Sequence, residues 1–144
     1  MNEYVTITWN LHLKSPPEKI FKYLNSNEGR AKFWATKAIE KDNFVEFVFP
    51  NGYEWRGKIL ERKSPNIFKI EYIDGSKTTF QLKLDRKGGT DLTLTDENVE
   101  KEWETDVKAG WVSVLMSLKA AIDFDVDLRN NDPDRTWDQN YCDN

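Results

Sequence analysis

A change in hydrophobic period near residue 99 constrains this chain more than any other feature. From residue 36 to about 98 the sequence reads as short strands separated by tight turns. Beyond it, Trp103, Val107, Trp111, Val114, Leu115, Leu118 and Ile122 recur at three- and four-residue steps, which predicts one amphipathic helix over residues 99–124. A sheet with one apolar face and a helix with one apolar stripe bury those surfaces by packing on each other. Asn98 is the expected cap of the helix, and Glu100 and Glu102 fall in its first turn, where the helix dipole favours them. Gly110 lies in mid-helix, at a cost of about 1 kcal/mol against Ala. Room for close packing is the plain reason for it, a functional bend the other.

The first segment alternates. Val5, Ile7, Trp9, Leu11 and Leu13 take one face, and Thr6, Thr8, Asn10 and His12 take the other, which predicts a half-buried strand. Ser15-Pro16-Pro17-Glu18 follows at once. Ser15 and Glu18 have the spacing of a capping box, and Pro16 suits the first helical position. Ile20, Phe21 and Leu24 then form the apolar face of a short helix, and a second short helix over about 28–34 ends in Phe33-Trp34. Pro50-Asn51-Gly52, Asp74-Gly75-Ser76 and Lys87-Gly88-Gly89 read as three-residue hairpin loops. That register sets Phe47 against Trp55, Phe49 against Tyr53, Ile70 against Phe80, Leu82 against Leu94 and Phe80 against Asp96. Leu60 falls out of parity with Trp55 and Ile59, and a bulge near Gly57 would restore it.

The composition narrows the function classes. The chain carries 21 basic and 25 acidic residues, a net charge of -4, which argues against nucleic acid as a partner because that needs a basic face. Cys142 is the sole cysteine and His12 the sole histidine. No disulfide framework, cysteine-rich metal site or nucleophile–histidine pair can be built from them, and no cofactor motif is present. With no signal-like N-terminus and no membrane-length apolar run, a cytoplasmic, reducing location and no membrane partner are expected.

The order of strand, two short helices, meander and long helix resembles the helix-grip fold of the START-like (SRPBCC) superfamily. More closely, the chain resembles stand-alone relatives of the activator of heat-shock protein 90 ATPase. Three patterns carry the likeness: Ser15-Pro16-Pro17-Glu18-Lys19-Ile20-Phe21, similar to the family's opening segment; Phe33-Trp34 at the end of the second helix; and Gly110-Trp111 followed by Leu115 and Leu118-Lys119. The resemblance spans roughly residues 4–128. It implies an α+β fold in which a curved antiparallel sheet of about seven strands wraps round the long C-terminal helix. Residues 1–144 would form one such domain, with 129–144 as a polar tail that either packs back or stays loose. It also implies a cavity between sheet and helix, used across the superfamily for apolar ligands.

The expected walls of that cavity are the inward aromatics Trp9, Phe33, Trp34, Phe47, Phe49, Tyr53, Trp55, Phe80, Trp103 and Trp111, with Val107 and Leu115 from the helix. Plain core packing is the competing role for each. Asp96 falls on the same apolar face, where a carboxylate either anchors a ligand, serves as a tuned acid or base, or caps the last helix. Three readings follow: a module binding a small apolar molecule, a chaperone cofactor or other protein-interaction domain, and a cyclase- or hydrolase-like enzyme using Asp96.

Overall fold

In a computed structural model, which describes residues 2–144, seven strands form a single antiparallel sheet. β1 (Tyr4–Leu13) leads into α1 (Pro17–Asn25) and α2 (Asn27–Ala31). β2 (Lys37–Lys41), β3 (Phe44–Val48), β4 (Glu54–Lys63), β5 (Ile67–Glu71), β6 (Lys77–Leu84) and β7 (Thr90–Glu100) follow, and α3 (Glu104–Phe124) closes the fold. The spatial order β1-β7-β6-β5-β4-β3-β2 makes β2 to β7 a meander, with β1 pairing back onto β7. This is the α+β helix-grip arrangement, with α3 against the curved sheet and α1 covering β5 and β6.

Alternation in β1 is kept. Ile7 and Leu13 are buried, Val5, Trp9 and Leu11 pack partly against the core, and Thr6, Thr8, Asn10 and His12 are exposed. Outward-facing His12 places Nε2 at 2.7 Å from Asp85.

The helix starts depart from expectation. α1 begins at Pro17, not Pro16, and has no side-chain cap. Ser15 instead faces the other end of the molecule, where its hydroxyl donates to Asp123 Oδ1 at 2.8 Å. The Lys14 and Ser15 amides also donate to the Asp123 carboxylate, at 2.8 and 3.2 Å. Burial alone would raise this carboxyl, but those bonds and nearby Lys119 outweigh it and hold it below the ordinary range. The last turn of α3 is thereby bolted to the β1–α1 junction. α2 ends at Ala31, so Phe33 and Trp34 lie in the turn beyond it.

α3 begins at Glu104 rather than near residue 99, because β7 runs on to Glu100 and a short 3-10 turn over Lys101–Trp103 intervenes. Asn98 sits inside β7 with φ 64° and caps nothing. Glu100 and Glu102 accordingly precede the helix.

The first hairpin keeps the expected register, with Phe47 opposite Trp55. The other two do not. Phe68 pairs with Phe80, Phe80 with Leu94, Leu82 with Leu92, and Thr78 rather than Phe80 lies opposite Asp96. Each loop keeps three residues but starts one residue earlier than expected, at Ile73 and at Arg86. The Tyr72 amide bonds to the Ser76 carbonyl, and the Asp85 amide to the Gly89 carbonyl. Asp74, Gly75 and Gly88 take positive φ inside them, and Asp85 Oδ1 accepts the Lys87 and Gly89 amides. A further tight hairpin, Asp42-Asn43, joins β2 to β3, with both residues at positive φ. The β4 irregularity exists, but between Ile59 and Glu61 rather than at Gly57.

Gly57 answers a different need. A Cβ there would stand 2.0 Å from the Glu71 carbonyl oxygen on the neighbouring strand, so the backbones approach as only glycine permits. Arg30 of α2 is fully buried without a carboxylate partner. It donates to the Ala38 and Leu24 carbonyls and to Asn27 Oδ1, fastening α2 to β2, and burial lowers its guanidinium to about 10.

Gly57→Ala is expected to cost about 1–3 kcal/mol, the usual range for overpacking a tight contact, read from denaturant midpoints. An unchanged midpoint would mean that β4 and β5 part easily at this point.

Candidate functional site

Between the sheet and the N-terminal half of α3 lies a hollow of about 710 Å³. Its floor is an aromatic cluster. Trp34 follows α2, Tyr72 ends the β5 run, and Trp111 comes from α3. Their ring centroids are 5.6 Å apart for Trp34–Tyr72, 5.2 Å for Tyr72–Trp111 and 6.0 Å for Trp34–Trp111. Trp34 Nε1 donates to the Tyr72 hydroxyl oxygen at 3.0 Å.

Asp96 lies at the base of this cluster, only 1% exposed. Trp111 Nε1 donates to its Oδ2 and Thr78 Oγ1 to its Oδ1, both at 2.9 Å. Desolvation raises the Asp96 carboxyl above the ordinary range, opposed by the Trp111 indole and the Ser76 and Thr78 hydroxyls. Capping is excluded, because α3 starts at Glu104. Burial likewise pushes the Tyr72 hydroxyl up, and the Asp96 charge adds to it.

Of the residues expected to wall this space, Phe33, Trp34, Phe49, Tyr53, Asp96, Trp103, Val107 and Trp111 do line it. Trp103 is half exposed at the mouth, instead of facing the sheet. Phe47, Phe80 and Leu115 are core residues behind the walls, 1%, 0% and 4% exposed. Trp9 lies outside the hollow and braces the helix from β1, its Nε1 donating to the Lys108 carbonyl at 3.0 Å. Trp55 packs against the core, its Nε1 buried without a partner. Inward parity is shared by all of these side chains. Whether each meets the helix or open space depends on where α3 stands off, which parity does not encode.

Sequence reasoning missed Tyr72, Ser76 and Ser117, buried polar groups that also line the hollow. Inward parity with Ile70 was the available signal for Tyr72. Gly110 also belongs here. A Cβ on it would meet nothing within 4 Å, so close packing does not explain this glycine.

The C-terminal tail folds back over the opening. Arg129 donates to the Ala31 and Ala35 carbonyls and pairs with Asp127, which holds that carboxyl down to about 2 against the effect of burial. Ser113 Oγ donates to the Cys142 carbonyl at 2.6 Å. These ties place Trp137, itself 38% exposed, at the mouth. Among the described residues no group of three or more His, Cys, Asp or Glu side chains could hold a metal ion. No helix among them is long and apolar enough to cross a membrane.

A sheet gripping a helix over an aromatic-walled hollow defines a START-like helix-grip domain. The sequence profile of the family described as Activator of Hsp90 ATPase homolog 1-like protein matches residues 14–123, and the chain belongs to that family. Solved structures agree on the fold. The Aha1 dimer from Colwellia psychrerythraea is 22% identical with a TM-score of 0.75, over 83% of this chain and 97% of that one. A protein from Staphylococcus saprophyticus is 19% identical with a TM-score of 0.75, over 87% of this chain and 96% of the other. An AHSA1-like protein from Aeromonas hydrophila is 17% identical with a TM-score of 0.69, over 80% and 90%. No curated protein matches the sequence. The tail beyond residue 123 lies outside the family match.

Two outcomes are expected here. Trp111→Ala should cost about 3–5 kcal/mol, since it leaves a cavity and also strips Asp96 of a donor, whereas exposed Trp103→Ala should stay within about 1 kcal/mol. Denaturant midpoints compare them, and equal losses would contradict the assigned burial. The second concerns pH. A carboxyl raised on folding binds its proton more tightly in the native state. Its stabilising contribution is therefore complete below the unfolded value and is lost as pH rises through the folded one. Relative to Asp96→Asn, the natural protein should gain stability as pH falls from 7 toward 4. The subtraction removes the opposite slope from carboxyls lowered on folding, such as Asp123 and Asp127. A difference that shrinks on acidification would mean that the Asp96 carboxyl is lowered.

Proposed function

We propose that the protein is a binding module that holds a small, largely apolar ligand in the hollow between its sheet and α3. The observation that carries this reading is a space of about 710 Å³ whose lining includes the rings of Phe33, Trp34, Tyr72, Trp103 and Trp111, with the buried Asp96 and Ser76 beside them. Ligand sites are typically concave and apolar, with a few placed polar groups. Gly110 supports the same reading, because it keeps one wall low at a position where the helix would be steadier with Ala.

A second reading, a chaperone cofactor or another protein-interaction role, draws on the rim. Trp103, Trp137 and Tyr53 are 50%, 38% and 44% exposed, and exposed aromatic rings are common interface anchors. A cyclase- or hydrolase-like role for Asp96 has less behind it, since both carboxylate oxygens already accept hydrogen bonds.

Neutral flat aromatics and sterols, screened by thermal shift, test the first reading. A ligand at one hundred times its Kd adds about 2.7 kcal/mol to the folded state, and it would also alter emission from Trp34 and Trp111. Gly110→Phe fills the space from the helix side and should abolish the response while the fold persists. Gly110→Ala should stabilise the unliganded protein by about 0.5–1 kcal/mol. A panel without a single response would sink the binding reading in favour of the protein-interaction one.

A further inference from the structure

The charged groups round the hollow are lopsided. Asp74, Asp96, Glu100 and Asp106 contribute carboxyls to its lining, from the β5–β6 loop, β7 and the start of α3. Arg129 is the single Lys or Arg among the described lining residues. Its guanidinium is already committed, to both Asp127 oxygens and to the Ala31 and Ala35 carbonyls. Among the described lining residues, an anionic head group would meet carboxylates and no free cation. The arrangement also suits no bare metal ion, because among the described residues no three acidic groups come together.

The lining is also rich in aromatic rings. Trp103, Trp137 and Tyr53 stand at the mouth, with Trp34, Tyr72 and Trp111 below. Ring faces attract cations through their quadrupoles, most strongly for Trp, and more so where water is thinned out. Two independent features, ring faces and unneutralised carboxylates, thus favour the same sign of charge. They do so in one cavity whose volume fits an organic molecule rather than an ion.

Resting on the binding reading above, we propose that the ligand is an organic cation: an amine or quaternary ammonium group carried on an apolar, preferably aromatic, body. The body lies over the Trp34–Tyr72–Trp111 floor. The cationic group sits toward the mouth, between the rim aromatics and the carboxylates of Glu100 and Asp106. Asp96 is too enclosed by Trp111 and Thr78 to be the main counter-charge, and acts as an acceptor at the base.

A matched series decides it: 2-(1-naphthyl)ethylamine, 2-(1-naphthyl)ethanol and 1-naphthylacetate, titrated into the full chain by calorimetry at low and high salt. The amine should bind roughly tenfold or more tighter than the alcohol, and the carboxylate weakest, as expected for a partly desolvated cation–π and charge pairing. Added salt should narrow the gap between amine and alcohol. Glu100→Gln and Asp106→Asn, both away from the core, should each reduce the preference for the amine without changing the alcohol. Alcohol binding with no preference for the amine would overturn the charge assignment and leave the binding reading standing. Carboxylate binding as tight as the amine would do the same. Failure of all three probes to bind would overturn both.

Discussion

The hydrogen bond from Trp111 Nε1 to Asp96 Oδ2 holds the centre of this fold together. It joins α3 to β7 inside a mostly hydrocarbon core, so it is directional where most of its surroundings are not. Each partner makes the other tolerable. A buried carboxylate without donors costs several kcal/mol, and a buried indole N–H without an acceptor is likewise unsatisfied. Thr78 supplies the second donor from β6, so one side chain ties a helix and two strands. The rotation of α3 is set at this point, and with it which helix residues meet the sheet.

The hollow follows from how the helix is fastened elsewhere. Its C-terminal half is tied down repeatedly: Asp123 accepts from Lys14 and Ser15, Lys119 Nζ donates to the His12 carbonyl, and Lys19 Nζ to the Ile122 carbonyl. Leu115, Leu118 and Ile122 are buried along that half. Ahead of Trp111 the grip loosens. Val107 and Gly110 are only partly buried, and the tie on that side comes from Trp9 to the Lys108 carbonyl, outside the cavity. A helix bolted at one end and braced on one side stands off the sheet at the other. The 710 Å³ space opens there, and the tail strapped down through Arg129 borders its mouth.

Much of this architecture was legible because parity and period are robust signals. Two hairpin registers were misread, yet Phe68, Ile70, Phe80, Leu82, Leu92 and Leu94 still face inward, since a two-residue slip leaves every side chain on its own face. The slips arose from where each loop is placed, one residue earlier than expected, which depended on Asp74 and Gly88 adopting positive φ and on Asp85 accepting backbone amides. The helix start was misplaced because Trp103 continues the stripe in sequence while the chain is still leaving β7. Arg30 had no signal at all: its partners are carbonyls, whose positions exist only once α1, α2 and β2 have assembled. The site was legible to the same depth. The sequence pattern identified inward aromatics, but Phe47, Phe80 and Leu115 differ from Trp34 and Trp111 only in lying where α3 or neighbouring rings fill the space.

Several features of the hollow are unfavourable if folding alone is considered. Rings that line a hollow pack against fewer side chains than rings inside a core. Gly110 adds the backbone cost of a mid-helix glycine where nothing presses against it. Asp96 is desolvated, and carboxyls in the lining, Asp74, Glu100 and Asp106, stand without a cation of their own among the lining residues. Two of these would be met by one kind of occupant: an apolar body in contact with the rings, and a positive group beside the mouth carboxylates Asp74, Glu100 and Asp106. A partner docking on Trp103 and Trp137 would engage the rim alone, whereas a small apolar molecule would reach the floor of Trp34, Tyr72 and Trp111 as well.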